Sequence, residues 1–320
     1  MSEITVIGAG AFGTALAISL ARDGKGVGLM ARDPGHVSEM QKARENARRL
    51  PGLAFPDTLS AVRADADIAS ICLMAIPTQT LSAVLAALGP RLDNKHVVAC
   101  CKGVDLKTGK GPTALISEYC AGSVPAILSG PSFAVDIANG LPTALTLATE
   151  QDAAGQFLQD QLSTTNLRLY RSSDVIGVEL GGALKNIIAI SAGIAIGAGL
   201  GESARAALMT RGFAEMKLFA QSSGASLETL SGLSGFGDLV LTCTSEKSRN
   251  FTYGLALGRG TDINPETTVE GVVTAKAVSN AGISQGIEMP VTTIVTQLIE
   301  KKLTVKDGIE QLMSRPLKKE

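Results

Sequence analysis

The run Ile4-Thr5-Val6-Ile7-Gly8-Ala9-Gly10-Ala11-Phe12-Gly13, continuing as Thr14-Ala15-Leu16-Ala17-Ile18-Ser19-Leu20-Ala21, constrains the fold more than any other part of the chain. A short β-rich apolar stretch meets GxGxxG, and a stretch suited to a helix follows. Gly8 permits a tight turn, Gly10 lets the backbone approach a pyrophosphate, and Gly13 lets the helix pack close to the strand. The phosphates then meet N–H groups at a helix N-terminus. The alternative is a glycine-rich turn without a ligand; the strand-turn-helix setting favours the dinucleotide reading.

Apolar strand-like runs then alternate with helix-like runs at 4–8, 27–32, 68–76, 96–101, 126–129 and 143–148, and a further strand-like segment at 167–170 closes this half. Such alternation is the signature of a parallel sheet with crossover helices, here a Rossmann-like doubly wound α/β domain. From Asp174 onward long helical stretches are broken by glycine loops. The expected organisation is a dinucleotide-binding domain over 1–172 and a mostly α-helical substrate-binding and catalytic domain over 173–320.

The 320 residues, 45% hydrophobic and 18% charged, are enough for two ordinary domains. A net charge of −1, 3% aromatics and no tryptophan give neither a basic field nor stacking rings for nucleic acid. The longest uncharged apolar stretch, 186–201, has 16 residues and much glycine, short for a membrane span. Met1 leads directly into the first strand, so no signal peptide is expected. Cys72, Cys100, Cys101, Cys120 and Cys243 are odd in number and lack metal spacing, which reads as reduced thiols in a cytoplasmic protein. His36 and His96 have no triad or metal arrangement around them and are assigned structural or surface roles.

Ala31-Arg32-Asp33 ends the second strand, where an acidic side chain suits a ribose 2′-OH and an arginine suits a 2′-phosphate. Arg32 comes first, which favours NADP(H), with NAD(H) the alternative; Asp33 before Pro34 also reads as a helix cap. Lys102 lies where the strand VVACC gives way to a glycine loop, on the face a cofactor should occupy. It reads as a phosphate-holding cation or as one more surface lysine beside Lys107 and Lys110. Ser129-Gly130-Pro131-Ser132-Phe133-Ala134 also follows a strand, and offers either donors to a substrate or ordinary turn chemistry.

Lys185 is the only cation between Arg171 and Arg205, in the apolar tract VELGGALKNIIAISAGIAIGAGLG. Stripping water from an ammonium costs several kcal/mol unless a partner or a task holds it there, so this amine is a candidate proton donor and acceptor. The alternative is a side chain that snorkels to solvent. Further on, Gly235-Phe236-Gly237-Asp238-Leu239 is a turn carrying a carboxylate, and Ser248-Arg249-Asn250 sets a hydroxyl, a cation and an amide side by side. An arginine with neighbouring backbone N–H groups suits a small phosphate monoester. A structural salt bridge is the other reading of each.

Over nearly its whole length the chain resembles the soluble bacterial-type NAD(P)-dependent glycerol-3-phosphate dehydrogenases. The segments that carry the resemblance are GAGAFGTALA, CKGVD, LSGPSFA, VELGGALKNIIAI, GLGESARAALMTRGFAEM, GFGDLVLTCTSEKSRNF and TVEGVVTAKAV, in the family's order. The resemblance implies reversible reduction of dihydroxyacetone phosphate to sn-glycerol 3-phosphate for phospholipid synthesis, with Lys185 as proton donor and acceptor. It implies a substrate site of Lys102, Gly130, Ser132, Asp238, Ser248, Arg249 and Asn250. Cofactor contacts would come from Ala11, Phe12, Arg32, Lys102, Ala134, Arg249, Thr268 and Glu270, beside the glycine turn of Gly8, Gly10 and Gly13. Cys101 stands where serine is common, Phe236 where leucine is usual, Ser203 where asparagine is usual, and Thr268 where valine is frequent. Two rivals stay open: another lysine-dependent dehydrogenase of the same architecture, and a nicotinamide-binding redox sensor without turnover. The helical half is a candidate source of a homodimer interface.

Overall fold

The computed structural model describes residues 2–262 and 269–314. The chain divides into two compact units, residues 1–179 and 180–320. The first runs β1 (Ile4–Ile7), α1 (Ala11–Arg22), β2 (Val27–Ala31), α2 (Pro34–Ala43), β3 (Leu59–Arg63), β4 (Ile71–Met74), α3 (Thr78–Leu88), β5 (His96–Ala99), α4 (Pro112–Tyr119), β6 (Val124–Ser129), α5 (Ala134–Ala138), β7 (Thr143–Ala148), α6 (Asp152–Leu162) and β8 (Leu167–Ser172). The eight strands form one sheet in the order β3-β2-β1-β4-β5-β6-β7-β8. Because β1 pairs in parallel with both β2 and β4, the winding reverses between β1 and β4, and a crevice opens at their carboxyl ends.

All seven strand-like runs contain a strand, and β3 is an addition. It escapes sequence reading because it is an edge strand, LSAVR, in which only Leu59 and Ala61 are buried. The inner strands β1, β2 and β4 are buried at every position and so read as continuous apolar runs. The sheet also departs from an all-parallel one, since β7 runs antiparallel to β6. The connection between them holds only the five-residue α5, which packs on α1 instead of crossing the sheet, so the chain re-enters from the end at which it left.

The second unit is built from α7 (Val175–Gly197), which begins in the first, α8 (Gly201–Ser222), α9 (Leu227–Ser231), a π-turn (Leu233–Gly237), α10 (Asp238–Cys243), α11 (Arg249–Arg259), α12 (Glu270–Ser284), α13 (Pro290–Ile299) and α14 (Val305–Met313). The expected division near Ser172 falls just before α7, whereas the compact units part inside this helix. Val178 packs with the apolar cluster of the sheet, and Leu184, Ile187, Ile188 and Ile190 with that of the helices. Among the described residues α7 alone is long and apolar enough to cross a membrane, yet 83% of its most apolar window is buried within the protein. It contains Glu179 and Lys185, and so extends past the uncharged stretch 186–201 at its start.

Glycines set the closest approach in the helical unit. A Cβ at Gly193 or Gly197 of α7 would lie 2.1 Å from the Phe251 carbonyl oxygen or 2.3 Å from that of Leu255; one at Gly254 or Gly258 of α11 would lie 2.1 Å from that of Ile190 or 2.4 Å from that of Ile194. Two GxxxG faces therefore meet backbone to backbone. Two carboxylates, the buried Glu215 and the half-buried Glu179, cap helices remote in sequence. Glu215 of α8 accepts from the Val291 and Thr292 amides of α13 at 2.6 and 3.0 Å. Glu179 accepts from the Thr113 amide and hydroxyl at 2.7 and 2.8 Å, supplying α4 with the cap that Gly111 lacks. Burial pushes the Glu179 carboxyl up from its ordinary value, against the pull of those two hydrogen bonds.

Candidate active site

In the helical unit a buried polar cluster surrounds Lys185. Its side chain does not snorkel: it is 8% exposed, and its Nζ donates to Asp238 Oδ1 at 2.7 Å and to Thr242 Oγ1 at 2.7 Å. Asp238 and Thr242 lie four residues apart on α10, one above the other on its inner face, and are 1% and 4% exposed. The Thr242 hydroxyl, accepting from the ammonium, donates to Asp238 Oδ1 at 3.2 Å. The amine is thus paired and hydrogen-bonded, the condition under which a charge is tolerated in an apolar core.

Local backbone makes this arrangement possible. The π-turn that precedes Asp238 is tight enough that a Cβ at Gly235 would fall 1.9 Å from the Leu230 carbonyl oxygen. On α7, one turn before Lys185, Gly181 lets the Ser234 carbonyl approach to where a Cβ would be 2.7 Å away. Next to Asp238 and Lys185, burial pushes the Cys243 thiol up to about 12, so it acts as packing and not as a nucleophile.

At the start of α11, Ser248 is the N-cap, its buried Oγ accepting from the Phe251 amide at 3.3 Å, and Arg249 is exposed. Asn250 turns inward: its Nδ2 donates to Asn186 Oδ1 at 2.9 Å, and its Oδ1 accepts from the Gly271 amide at 2.9 Å. Each member of this amide relay adjoins a sequence-predicted site residue, Asn186 beside Lys185, Asn250 beside Arg249, and Gly271 beside Glu270, the first residue of α12. Thr268 lies outside the described residues. Phe236 is 48% exposed and packs its ring 5.3 Å from that of Phe213.

The sheet unit gathers the other candidates at strand carboxyl ends. Lys102, after β5, donates from Nζ to the Gly130 carbonyl at 3.1 Å, and the Ser132 hydroxyl donates to the same oxygen at 3.3 Å. Ala134 starts α5. The Thr78 hydroxyl, at the first residue of α3, and the Ser129 hydroxyl, at the end of β6, are buried with no hydrogen-bond partner among the described residues. Buried hydroxyls of that kind call for a partner.

The glycine turn fits a dinucleotide. A Cβ at Gly8, whose φ is +114°, would lie 2.4 Å from the Ala75 carbonyl oxygen, and one at Gly13 2.1 Å from that of Gly8. A Cβ at Gly10 would meet nothing within 4 Å. The turn is therefore closed on the protein side and open at Gly10, the N-cap of α1, which brings no side chain to the amides of Ala11, Phe12 and Gly13. At the end of β2, Asp33 is engaged elsewhere: it caps α2 through the Gly35 amide at 2.9 Å and pairs with Arg48 at 3.2 Å. The Gly35 hydrogen bond holds its carboxyl below the usual range. Arg32 is exposed beside it.

The sequence-predicted residues thus fall in two groups, one in each unit. It missed Thr242, for which the signal was the four-residue spacing from Asp238, and Asn186, which directly follows Lys185. Among the described residues no group of three or more His, Cys, Asp or Glu is placed to hold a metal.

A doubly wound sheet with an open glycine turn, followed by a helical unit with a buried lysine-carboxylate pair, defines the class of two-unit nicotinamide-dependent dehydrogenases. Models of the NAD-dependent glycerol-3-phosphate dehydrogenase N-terminus and C-terminus match residues 3–155 and 174–310. The chain belongs to this family of NAD(P)-dependent enzymes. It is 53% identical to the glycerol-3-phosphate dehydrogenase [NAD(P)+] of a Ruegeria species, covering 99% of this chain and 100% of that one. With the protein of the same name from Cereibacter sphaeroides it is 55% identical over the same shares. The crystal structure of glycerol-3-phosphate dehydrogenase from Coxiella burnetii superposes with a TM-score of 0.92 at 37% identity, over 98% of each chain. Membership of this family sets aside the two rivals, another lysine-dependent dehydrogenase and a redox sensor without turnover.

Proposed function

We propose that the chain reduces dihydroxyacetone phosphate reversibly to sn-glycerol 3-phosphate with NADPH as its preferred reductant, supplying glycerol 3-phosphate for phospholipid synthesis. The observation that carries this reading is the buried Lys185 ammonium, held by Asp238 and Thr242 at 2.7 Å each. When bound, the reduced nicotinamide supplies a hydride for the carbonyl carbon. Lys185 supplies the proton for the oxygen that gains negative charge there, and takes it back in the reverse direction. Asp238 and Thr242 orient the amine. The Arg249 guanidinium at the start of α11 grips the substrate phosphate, while Ser248 caps that helix and Asn250 ties it to Asn186 and Gly271, and this remote contact positions the reacting carbon. Lys102, Gly130 and Ser132 are the further substrate-binding residues of this reading.

Gly8, Gly10, Ala11, Phe12 and Gly13 receive the pyrophosphate, and Ala134 and Glu270 are the further cofactor residues of this reading. The preference for NADPH is supported by Asp33, whose carboxylate caps α2 and pairs with Arg48, while the exposed Arg32 suits a 2′-phosphate. In this reading the sheet unit is the dinucleotide domain and the helical unit the catalytic one. The protein works in the cytoplasm as a homodimer with no nucleic-acid partner. Five buried cysteines support the compartment, and Leu218, 53% exposed on α8, offers apolar surface for the pairing.

The test is loss of reduced-nicotinamide absorbance with dihydroxyacetone phosphate, with NADPH and NADH run in parallel. Wild type consumes NADPH faster, Lys185→Ala has no measurable turnover while still binding NADPH, and Arg32→Ala loses the preference by roughly ten-fold. Near-normal turnover by Lys185→Ala removes the lysine from the chemistry, and an unchanged cofactor ratio in Arg32→Ala removes the arginine from the choice.

A further inference from the structure

Asn46, in the loop after α2, is wholly buried, and its side chain joins three segments. Nδ2 donates to the Ala9 carbonyl at 3.1 Å and to the Thr14 hydroxyl at 2.8 Å, and Oδ1 lies 2.9 Å from His36 Nε2. A carbonyl only accepts, so the Ala9 contact fixes the nitrogen end of the amide at the glycine turn. Oδ1 is then the acceptor at His36, whose Nε2 donates. Thr14 and His36 are 0% and 9% exposed and the Ala9 end is half-buried, so the bonds to Thr14 and His36 are shielded from water and costly to lose.

The placement of these bonds gives them a role. Ala9 stands between Gly8 and Gly10, and the peptide that joins it to Gly10 is trans. In a trans peptide the C=O and the N–H point in opposite directions, so holding the Ala9 oxygen fixes the direction of the Gly10 amide. Gly10 is also the residue with open space beside it. At the other end of the network His36 sits in the first turn of α2, whose cap is Asp33, next to Arg32.

We propose that Asn46 is a positioning residue for the dinucleotide. Through Ala9 it aims the Gly10 amide at the pyrophosphate, and through His36 it ties that turn to the Arg32-Asp33 segment that meets the far ribose. The proposal rests on the glycine turn being the pyrophosphate site. It distinguishes Asn46 from a residue that only stabilises the fold, because its loss weakens the cofactor specifically.

Fluorescence titration of NADPH into the full-length wild type, Asn46→Asp, Asn46→Ala and His36→Gln tests it, with melting curves run on each. Asn46→Asp keeps the size of the side chain and an acceptor for His36, but presents oxygen to the Ala9 carbonyl. It should weaken NADPH about ten-fold, equivalent to about 1.4 kcal/mol. The KM for NADPH should rise in parallel, while the KM for dihydroxyacetone phosphate stays within two-fold. Hydrogen exchange of the Gly10 amide, measured without cofactor, should quicken. His36→Gln, whose amide can make the same donation, should stay within two-fold of wild type. Folded Asn46 variants that bind NADPH like wild type overturn the proposal. If neither Asn46 variant folds, Thr14→Val and His36→Leu decide it: weaker NADPH binding in both supports it, and wild-type binding in both overturns it. A wild type that binds no NADPH would remove the reading of the turn itself.

Discussion

Gly254→Ala tests how the helical unit holds its polar residues in register. The added methyl would sit 2.1 Å from the Ile190 carbonyl oxygen, where ordinary contact begins at 3.4 Å, so the two helices must part by about 1 Å. The obstructing atom is backbone and cannot rotate away, which puts the strain at the upper end of the overpacking range, about 3 kcal/mol. For a unit of this size that corresponds to a fall in Tm of roughly 6–12 °C. Gly254 is one turn from Asn250, so the same displacement pulls apart the 2.9 Å bond to Asn186, the neighbour of Lys185. A misplacement of about 1 Å in a reacting geometry can cost about a hundred-fold in kcat/KM. Gly258→Ala is the control: its methyl would lie 2.4 Å from the Ile194 carbonyl one turn further away, so stability should fall comparably and turnover much less. The measurements are thermal melts by circular dichroism and kcat/KM for dihydroxyacetone phosphate. A Gly254→Ala protein that melts within about 2 °C of wild type with wild-type kcat/KM would refute the reasoning.

Asp238→Asn leaves the Lys185 ammonium buried without its countercharge; kcat should drop at least a hundred-fold and the melting temperature should fall, as breaking a buried pair costs about 3–5 kcal/mol. Normal turnover in that variant would show that the carboxylate is not needed to hold the amine. Glu179 gives a pH signature. Because burial raises its carboxyl in the folded chain, its contribution to stability is fully present below the ordinary value of 4.5 and is lost as pH rises through the raised folded value. Glu179→Gln keeps an acceptor for Thr113 and does not ionise, so denaturant midpoints of variant and wild type should move apart in the variant's favour from pH 4.5 upward. A difference that stays constant with pH would contradict this.

The sheet was legible where burial was complete. Strands such as ICLM and VGLMA, hidden on both faces, leave an unbroken apolar signature; LSAVR, at an edge, and the reversed β7, whose direction depends on how α5 packs, do not. Lys185 stood out because a lone cation in an apolar tract has few reasons to be there. Thr242 did not, because a threonine in a helix ordinarily bonds its own backbone, and only the fold shows this one turned to the lysine. Asn250 was read as a ligand-facing amide next to Arg249, and its hydrogen bonds to Asn186 and Gly271 became visible only with α7 and α12 in place. Asn46 carried no local signal, since its partners lie 37, 32 and 10 residues away.

The three glycines of the first turn answer to different selective pressures. Positions 8 and 13 are closed by carbonyl oxygens of the fold itself, so any side chain there is opposed whether or not a nucleotide is present. Position 10 faces emptiness, and only a ligand objects to filling it. A lineage that stopped using its nucleotide would drift at 10 and keep glycine at 8 and 13. Across descendants of this scaffold, the residue at 10 therefore records whether the nucleotide is still in use, and the outer two record only that the fold persists.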